Sequence, residues 1–503
     1  MKRGVLWSVV SALCGGVGSL VVTPLLVNRL GAVQFGVYVL VLTLTSYASF
    51  FDFGLTWAAG RYFAEDLAKQ QRQRLAERFH TLARFLIGIG VLSLVLVVLV
   101  GPVILRAAGA QVPARVWLLL LLAALSFGLT LQAGLAATLL RVCQRFDEAG
   151  RVGAIGSVLL PVGSYIAVRL SPSLTPLLVI NAAVNAVVWL LYLKLAHREL
   201  ESAAVVTRWQ PRHLREMAAF GGWATLNRFL MVLVLQVDRL AVALLGSVAG
   251  LTYYAVPANL AARINTIGAP FAGLFFSRAS VLHAGDSAAE LSRQHAVATR
   301  FLTWTALALA APLVLLGPDF LRVWIGEAMA VNGGAVLVAL AAGYAVISVA
   351  SLDAVTLEGS GRPDLTGKTM LVWSALAVTS VLLLAPTLGG LAVAYAVAAW
   401  LIGVGVTDIV LCRLLVLRPT SAPSAAVQVV GILLCLAAAT AVAAPLRPYI
   451  DGLVAGIVAL SAVGGTTAAV GLFAILTRDD REWLATNLRR VVPARLAPSR
   501  VQP

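Results

Sequence analysis

The sequence predicts an all-α polytopic membrane protein with about 14 transmembrane helices, arranged as two parallel six-helix lobes plus two C-terminal helices. Three observations predict this fold class. Of the 503 residues, 60% are hydrophobic and 12% are charged, whereas soluble domains carry about 25% charged residues. Apolar runs of about 20 residues, the length of a membrane helix, recur along the whole chain. One short motif also occurs twice, near residues 28–38 and 238–254.

The apolar runs are numbered here as spans 1 to 14. They lie at residues 6–28, 35–59, 85–105, 116–140, 152–170, 174–195, 218–246, 248–276, 300–318, 333–356, 369–387, 389–412, 425–446 and 452–476. Spans 1 to 6 form the predicted N-lobe (1–200) and spans 7 to 12 the C-lobe (201–415), followed by spans 13 and 14 (416–480) and a basic tail (481–503). The remaining loops average about 14 residues, which leaves no room for a soluble catalytic domain once about 20 residues are assigned to each span.

The net charge of +16 is typical of a nucleic-acid-binding protein when the chain is soluble. Here the basic residues instead follow the positive-inside rule. With a cytoplasmic N-terminus, 29 of the 38 basic residues fall in cytoplasmic segments. The opposite side carries six of them, Arg29, Arg106, Arg115, Arg169, Arg322 and Arg447. We therefore predict that both termini are cytoplasmic and that the protein does not bind nucleic acid.

The cysteines and histidines form no recognisable site in the sequence. None of the four cysteines has CxxC spacing, so the sequence predicts neither a disulfide nor a metal site. It also contains no nucleophile–base set and no phosphate-binding loop, and we predict no cofactor. All five histidines fall in or beside predicted cytoplasmic loops. A proton carrier within the membrane should therefore be a carboxylate.

The repeated motif lies between spans 1 and 2 and again between spans 7 and 8. The first copy reads Asn28-Arg29-Leu30-Gly31, then Phe35-Gly36-Val37-Tyr38; the second reads Asp238-Arg239-Leu240, then Gly246, Gly250 and Tyr253-Tyr254. Six spans separate the copies, so both copies cross the membrane in the same direction. Parallel repeats are typical of transporters whose halves move about a central site. The alternative is a chance similarity between apolar segments.

Span 7 has the most polar residues of any apolar run. Asn227 and Asp238 are 11 residues apart, as are Arg228 and Arg239, which places each pair about 20° apart on a helix, in a stripe about 16 Å long. In span 8, Thr252, Asn259, Arg263 and Thr266 are predicted to share one face. A charge at the bilayer centre costs about 2.5–3.5 kcal/mol and usually faces a cavity.

The arginines at 228, 239 and 263 exceed the single nearby acid, Asp238. We therefore predict an anion-attracting cavity in which Asn227 and Asn259 also contact the substrate. Arginine suits phosphate because its planar guanidinium binds two oxygens and stays protonated. The alternative is an Asp238–Arg salt bridge, with the other arginines extending toward the interface.

Ion coupling requires a group whose proton affinity changes with its surroundings. Asp52 and Asp353, within or at the ends of spans, are the main candidates, and Asp238 is a third. The alternative for Asp52 and Asp353 is a carboxylate that caps or hydrogen-bonds a helix end.

Several motifs in order resemble bacterial Wzx-type polysaccharide-export flippases, members of the multidrug/oligosaccharidyl-lipid/polysaccharide superfamily. These motifs are the first repeat copy, Asp52-Phe53-Gly54-Leu55, Arg61-Tyr62, Gln236-Val237-Asp238-Arg239, Trp324-Ile325-Gly326-Glu327 and Gly359–Pro363. The resemblance covers about residues 1–415, because the last part of the chain carries no such motif.

The resemblance implies two six-helix lobes around a cationic lumen, to which Arg61, Arg228, Arg239 and Arg263 would contribute. The position of Arg61 at a loop edge fits a positive-inside role equally well. The implied activity is flipping of undecaprenyl-pyrophosphate-linked oligosaccharide, such as lipopolysaccharide O-antigen, across the bacterial inner membrane to the outer leaflet. Antiport of H⁺ or Na⁺ would drive it, and a polysaccharide polymerase and other assembly proteins would be its partners.

Two other functions are open from the sequence. An ion-coupled exporter of drugs or organic cations, from the same superfamily, would need a net acidic lumen, which the arginines argue against. An integral-membrane glycosyltransferase or ligase would need acidic residues on sizeable outer loops. The predicted outer loops are short and hold only Asp319, Glu327 and Asp451 as acids. We therefore predict a transporter and not an enzyme.

Overall fold

The structure is a computed structural model that describes residues 2–47, 55–109, 115–200, 209–219, 222–266, 275, 288–417 and 422–482. Within these ranges the regular secondary structure is entirely helical. This confirms the predicted all-α class. Asp52 and nearly all of the basic tail at 481–503 lie outside the described residues.

The α-helices of the described ranges are labelled here in chain order. They are α1 (Lys2–Ser46), α2 (Leu55–Ala68), α3 (Arg72–Ala107), α4 (Val116–Val142), α5 (Phe146–Leu170), α6 (Leu174–Leu200), α7 (Pro211–Ala219), α8 (Gly222–Ala241), α9 (Val248–Ala261), α10 (Ala288–Trp324), α11 (Glu327–Gly359), α12 (Pro363–Leu415), α13 (Ala422–Leu446) and α14 (Leu453–Ala474). A π-helical turn, Val242–Gly246, follows α8, and 3₁₀ turns occupy Ala262–Thr266 and Arg447–Tyr449.

Eleven helical segments of the described residues are long and apolar enough to cross a membrane. One of them, Cys14–Ser46 in α1, overlaps parts of spans 1 and 2, and the others match spans 3 to 6 and 9 to 14; spans 7 and 8 are not among these segments. Two glycines break the helical backbone between predicted spans: Gly31 (φ 77°, ψ 162°) within α1 and Gly389 (φ 59°, ψ −142°) within α12. Glycine adopts positive φ without the clash that a β-carbon brings. The prediction of a polytopic membrane protein is therefore confirmed.

The chain forms two compact units, and each is discontinuous in sequence. The first unit comprises Met1–Pro257 and Met370–Val397, and the second comprises Ala258–Thr369 and Ala398–Pro503. The lobes predicted from the sequence divide the chain at residue 200 instead, so the unit boundary and the predicted lobe boundary differ. The two six-helix lobes stay a prediction.

Helices α2, α3, α4 and α6 supply the main apolar core of the first unit. Phe63, Leu82, Leu86, Leu139 and Leu140 are fully buried there. Helix α3 also exposes a run of large apolar side chains, namely Ile87, Val91, Val95, Leu99 and Val103. A helix that is apolar on both its buried and its exposed faces fits a lipid environment.

In the second unit, α13 and α14 pack directly against α10. The Trp304 indole N–H donates to the carbonyl oxygen of Ala468 (2.8 Å). Arg300 forms an ion pair with Asp480 (2.7 Å), and Arg447 forms one with Asp319 (2.8 Å). The two C-terminal helices, which lie outside the sequence repeat, are therefore an integral part of this unit.

Candidate functional site

The two copies of the repeated motif contact each other within the first unit. The Thr252 hydroxyl, in α9, donates to the carbonyl oxygen of Ala32 (2.6 Å), in the second part of α1. A β-carbon at Gly36 would overlap the carbonyl oxygen of Val248 and lie 2.9 Å from its carbonyl carbon. We call this packing of Ala32 and Gly36 against Val248 and Thr252 the junction contact. Its backbone-to-backbone approach depends on the missing side chain of Gly36.

The residues just before α9, a π-helical turn and an extended Ser247, set where that helix begins. The π-helical turn at Val242–Gly246 adds a residue to the last turn of the preceding helix, a distortion that is frequent at functional sites. Ser247 then adopts an extended backbone (φ −156°, ψ 159°). Its hydroxyl accepts the backbone N–H of Gly250 (2.9 Å), which caps the new helix. This sequence of turns brings Val248 against Gly36.

Asp238 lies next to the junction contact and is buried, with 5% of its surface exposed. Its carboxylate accepts hydrogen bonds from the Tyr254 hydroxyl (2.6 Å) and from the backbone N–H of Arg239. The Tyr47 hydroxyl donates to the carbonyl oxygen of Gln236 (2.9 Å), two residues earlier in α8. Two tyrosines thus tie α8 to α9 and to the end of α1. The sequence analysis missed both contacts, although Tyr254 belongs to the repeated motif.

Helix α8 is continuous from Gly222 to Ala241, so Asn227, Arg228, Asp238 and Arg239 lie on one helix as predicted. The regular helix keeps Arg228 and Arg239 about 20° apart around its axis. The side chain of Arg239 is partly buried. The side chains of Asn227 and Arg228 lie outside the described part of the structure.

The polar residues predicted to share one face of span 8 differ in exposure in the structure. Thr252 is fully buried because α1 packs on the first part of α9, whereas Asn259 and Arg263 are exposed. The α-helix ends at Ala261, and Arg263 lies in the 3₁₀ turn that follows. Thr252 and Arg263 therefore differ in exposure, and the shared polar face of span 8 stays a prediction.

The remaining predicted site residues are separated along the chain. Arg61 is exposed on α2, in the first unit. Asp353 is buried on α11 in the second unit, where its Oδ1 lies 3.1 Å from His295 Nε2. The sequence placed every histidine in or beside loops, but α10 begins at Ala288 and carries His295 inside it. A histidine therefore contacts one of the predicted coupling carboxylates.

A partly buried ionic cluster that the sequence did not predict contacts the short helix α7, with Glu216 at its exposed side. Arg78 on α3 pairs with Asp66 on α2 (2.7 Å) and with Glu216 on α7 (3.2 Å). His213 on α7 lies 3.6 Å from both Glu77 and Glu216. Arg78 is 2% exposed and Asp66 is 1% exposed, so this pair is desolvated. We call Asp66, Arg78, His213 and Glu216 the α7 latch.

We expect Arg78→Ala to release α7 from α2 and α3. Removing one partner of a buried ion pair costs about 3–5 kcal/mol, because the other charge is left unpaired. Amide hydrogen exchange across residues 211–219 should therefore accelerate strongly in this variant. Arg293→Ala, which breaks an exposed pair with Glu290, is the control and should change little. Unchanged exchange in Arg78→Ala would show that the latch does not hold α7.

The latch should also weaken in acid. Although partial burial acts to raise it, the pKa of Glu216 is lowered below its usual value of 4.5 by the hydrogen bond from Arg78 and by the charges of His213, Arg78 and Arg74. A depressed folded-state pKa means that this stabilisation is complete above pH 4.5 and is lost as the pH falls through the folded value. Protection of α7 from exchange, measured across pH 3–6, should show that loss in the wild type, and Glu216→Gln should remove the part of the pH dependence that Glu216 contributes.

Comparison with solved structures identifies the class to which this helical membrane fold belongs. The lipid II flippase MurJ in its inward closed conformation matches with a TM-score of 0.60 at 12% identity, over 93% of this chain and 99% of MurJ. An inward-facing multidrug resistance MATE transporter of the MOP superfamily matches with a TM-score of 0.59 at 15% identity, over 81% and 94%. The Vibrio cholerae MATE transporter VcmN, as a mutant, matches with a TM-score of 0.58 at 13% identity, over 82% and 95%. The fold is that of MurJ and the MATE transporters.

A match to a protein-family model shows the family to which this chain belongs. Residues 1–276, more than half of the chain, match the family model described as polysaccharide biosynthesis protein. The chain belongs to this polysaccharide biosynthesis protein family. The comparison with curated proteins found no match.

Proposed function

We propose that this protein flips undecaprenyl-pyrophosphate-linked oligosaccharide from the cytoplasmic to the outer leaflet of the bacterial inner membrane, by ion-coupled alternating access, for surface polysaccharide assembly. The observation that carries the proposal is α8, a helix that carries Arg228, Asp238 and Arg239 and is followed directly by the residues of the junction contact. Membership of the polysaccharide biosynthesis family supports a glycan-related substrate.

The chemistry of such a substrate fits the residues of this chain. A pyrophosphate offers several oxygens to guanidinium groups, which Arg228 and Arg239 supply in the first unit and Arg263 supplies in the second, and arginine stays charged in low-dielectric surroundings. The isoprenoid tail would stay in lipid. The first unit also carries an apolar groove of about 490 Å³ between α1 and α5, lined by residues such as Val17, Val21 and Val162. This groove offers an apolar surface for an acyl or isoprenyl chain.

The junction contact gives this transport cycle a closed state. In the proposed topology both repeat copies follow an odd-numbered span, so both lie on the outer side of the membrane. Packing of Gly36 on Val248 then closes the path outward, and substrate release requires this contact to open. Asp238, held by Tyr254 of α9, is the carboxylate best placed to link ion binding to that opening.

We expect Arg228→Ala, Arg239→Ala and Arg263→Ala each to abolish or strongly reduce flipping while the protein stays in the membrane. A hydrogen bond to a charged group contributes about 1.5–3 kcal/mol, which corresponds to roughly a 10- to 150-fold loss of rate per arginine. Arg→Lys at the same positions should recover part of the rate because the charge is kept.

The measurement uses the full-length protein in proteoliposomes that contain a fluorescent pyrophosphate-linked oligosaccharide lipid. A quencher added outside reports the lipid that has crossed the bilayer. Arg293→Ala is the control, because Arg293 is exposed and pairs only locally with Glu290. Normal flipping in all three alanine variants would overturn the anion-binding cavity. Transport of an organic cation with no movement of the lipid would instead favour a drug exporter.

A further inference from the structure

Three helices of the second unit bring together four buried side chains that are far apart in sequence. They are His295 on α10, Asp353 on α11, and Asp408 and Cys412 on α12, none more than 4% exposed. One ligand atom each from His295, Asp353 and Cys412 lies within 4.8 Å of the other two. Asp408 lies four residues before Cys412, one turn away on the same face of α12.

Three polar atoms of this cluster lack hydrogen-bond partners in the described part of the structure, whereas the Cys412 thiol donates a hydrogen bond to Asp353. His295 Nε2, Asp353 Oδ1 and Asp408 Oδ1 are all buried and unsatisfied. Nε2 and the Asp353 Oδ1 atom are 3.1 Å apart, yet they do not adopt hydrogen-bonding geometry. An unsatisfied buried polar group costs about 1–3 kcal/mol. Three such atoms in one place indicate that a further group satisfies them.

The imidazole of His295 is held in a fixed orientation. Its Nδ1 lies 3.3 Å from the Thr299 hydroxyl, one turn further along α10, and its ring packs edge-on against Phe275. A histidine that ligates a metal through one nitrogen usually has its other nitrogen held by a hydrogen bond. Nε2 is therefore the atom presented to Asp353 and Cys412.

From this arrangement we infer that His295, Asp353 and Cys412 bind a divalent transition metal of the Zn²⁺ type. An imidazole nitrogen, a carboxylate oxygen and a thiolate are the ligands that Zn²⁺ prefers. Ligands about 2.0 Å from a tetrahedral metal are about 3.3 Å from each other, close to the observed 3.1 Å between Nε2 and Oδ1.

The histidine and cysteine ligands distinguish this proposed site from a binding site for a hard transported or coupling cation. Hard cations such as Mg²⁺ take oxygen ligands and would leave His295 and Cys412 unused. A transition metal would join α10, α11 and α12 and offset the negative charge of two carboxylates and a thiolate. The inference is independent of the substrate that the protein transports, because it concerns residues of the second unit alone.

The test is metal analysis of the full-length protein, purified in detergent without chelator and after removal of any histidine tag. Protein incubated with Zn²⁺ and desalted should retain about one equivalent per chain. Cys412→Ser and His295→Ala should bind at least tenfold more weakly, as expected for loss of a ligand. Cys435→Ser is the control and should retain the metal, because Cys435 is a buried free cysteine of the same unit outside the cluster.

Substitution with Co²⁺ gives a second measurement on the unmodified protein. A thiolate-to-cobalt charge-transfer band, together with the visible bands of tetrahedral Co²⁺, should appear in the wild type and in Cys435→Ser. Absence of both retained Zn²⁺ and the cobalt–thiolate band from well-folded wild-type protein would overturn the inference. Retention of the metal by Cys412→Ser would also overturn it, since the metal would then be bound elsewhere.

Discussion

Gly36→Ala should abolish flipping, although it adds a single methyl group to a helix and raises intrinsic helix propensity. The new β-carbon would overlap the carbonyl oxygen of Val248, and the atoms that it meets first belong to the backbone. A backbone cannot move aside as the end of a flexible side chain can, so the junction contact must open. Overpacking of this kind costs about 1–3 kcal/mol, which shifts the closed population roughly 5- to 150-fold.

The measurement is flipping of the fluorescent lipid in proteoliposomes, paired with thermal unfolding of the same variant. Gly246→Ala is the matched control, because it lies at the same junction and nothing lies within 4 Å of its added β-carbon. If Gly36→Ala matches Gly246→Ala in both flipping and melting temperature, the junction contact has no role in the transport cycle.

Asp238→Asn should leave the protein folded but make the remaining transport insensitive to the ion gradient. The amide has nearly the shape of the carboxylate, so the buried site stays filled, but it can neither bind nor release a proton. Asp238 accepts its hydrogen bonds from Tyr254 and a backbone amide, and an asparagine side-chain oxygen can still accept them. Flipping should fall to the rate that the wild type shows in the presence of an uncoupler.

Tyr254→Phe tests the hydrogen bond between Tyr254 and Asp238 by removing its donor. Loss of a hydrogen bond to a charged group costs about 1.5–3 kcal/mol, and combining it with Asp238→Asn should add little, since both changes remove one interaction. Asp451→Asn is the control, because Asp451 is exposed. An uncoupler response in Asp238→Asn equal to that of the wild type would remove Asp238 from ion coupling.

Much of the fold could be predicted because hydropathy and backbone breaks are local properties. The apolar runs are long, and Gly31 and Gly389 interrupt the helices close to where one predicted span ends and the next begins. The two motif copies were recognised in the sequence as a parallel repeat. That they pack on each other, through Thr252 and Ala32, was not visible in either copy alone.

The buried ionic contacts could not be predicted because they depend on which helices pack together. Span 9 was drawn from residue 300, since the charged residues before it break the apolar run. In the structure Arg300 is neutralised by Asp480, 180 residues later, and α10 extends back to Ala288. His295 therefore lies inside a helix, opposite Asp353. The α7 latch was not predicted either, because its ion pairs also depend on which helices pack together. In addition, α7 is short and polar, so no apolar run marks it.

The interleaving of the two compact units has a consequence for biogenesis. The first unit includes Met370–Val397, so it stays incomplete while the ribosome synthesises the residues between Pro257 and Met370, all of which belong to the other unit. At about 5–20 residues per second this interval lasts roughly 5–20 s. Inserted helices must therefore wait in the bilayer for partners that emerge later, and insertion chaperones have that interval in which to act on the nascent chain.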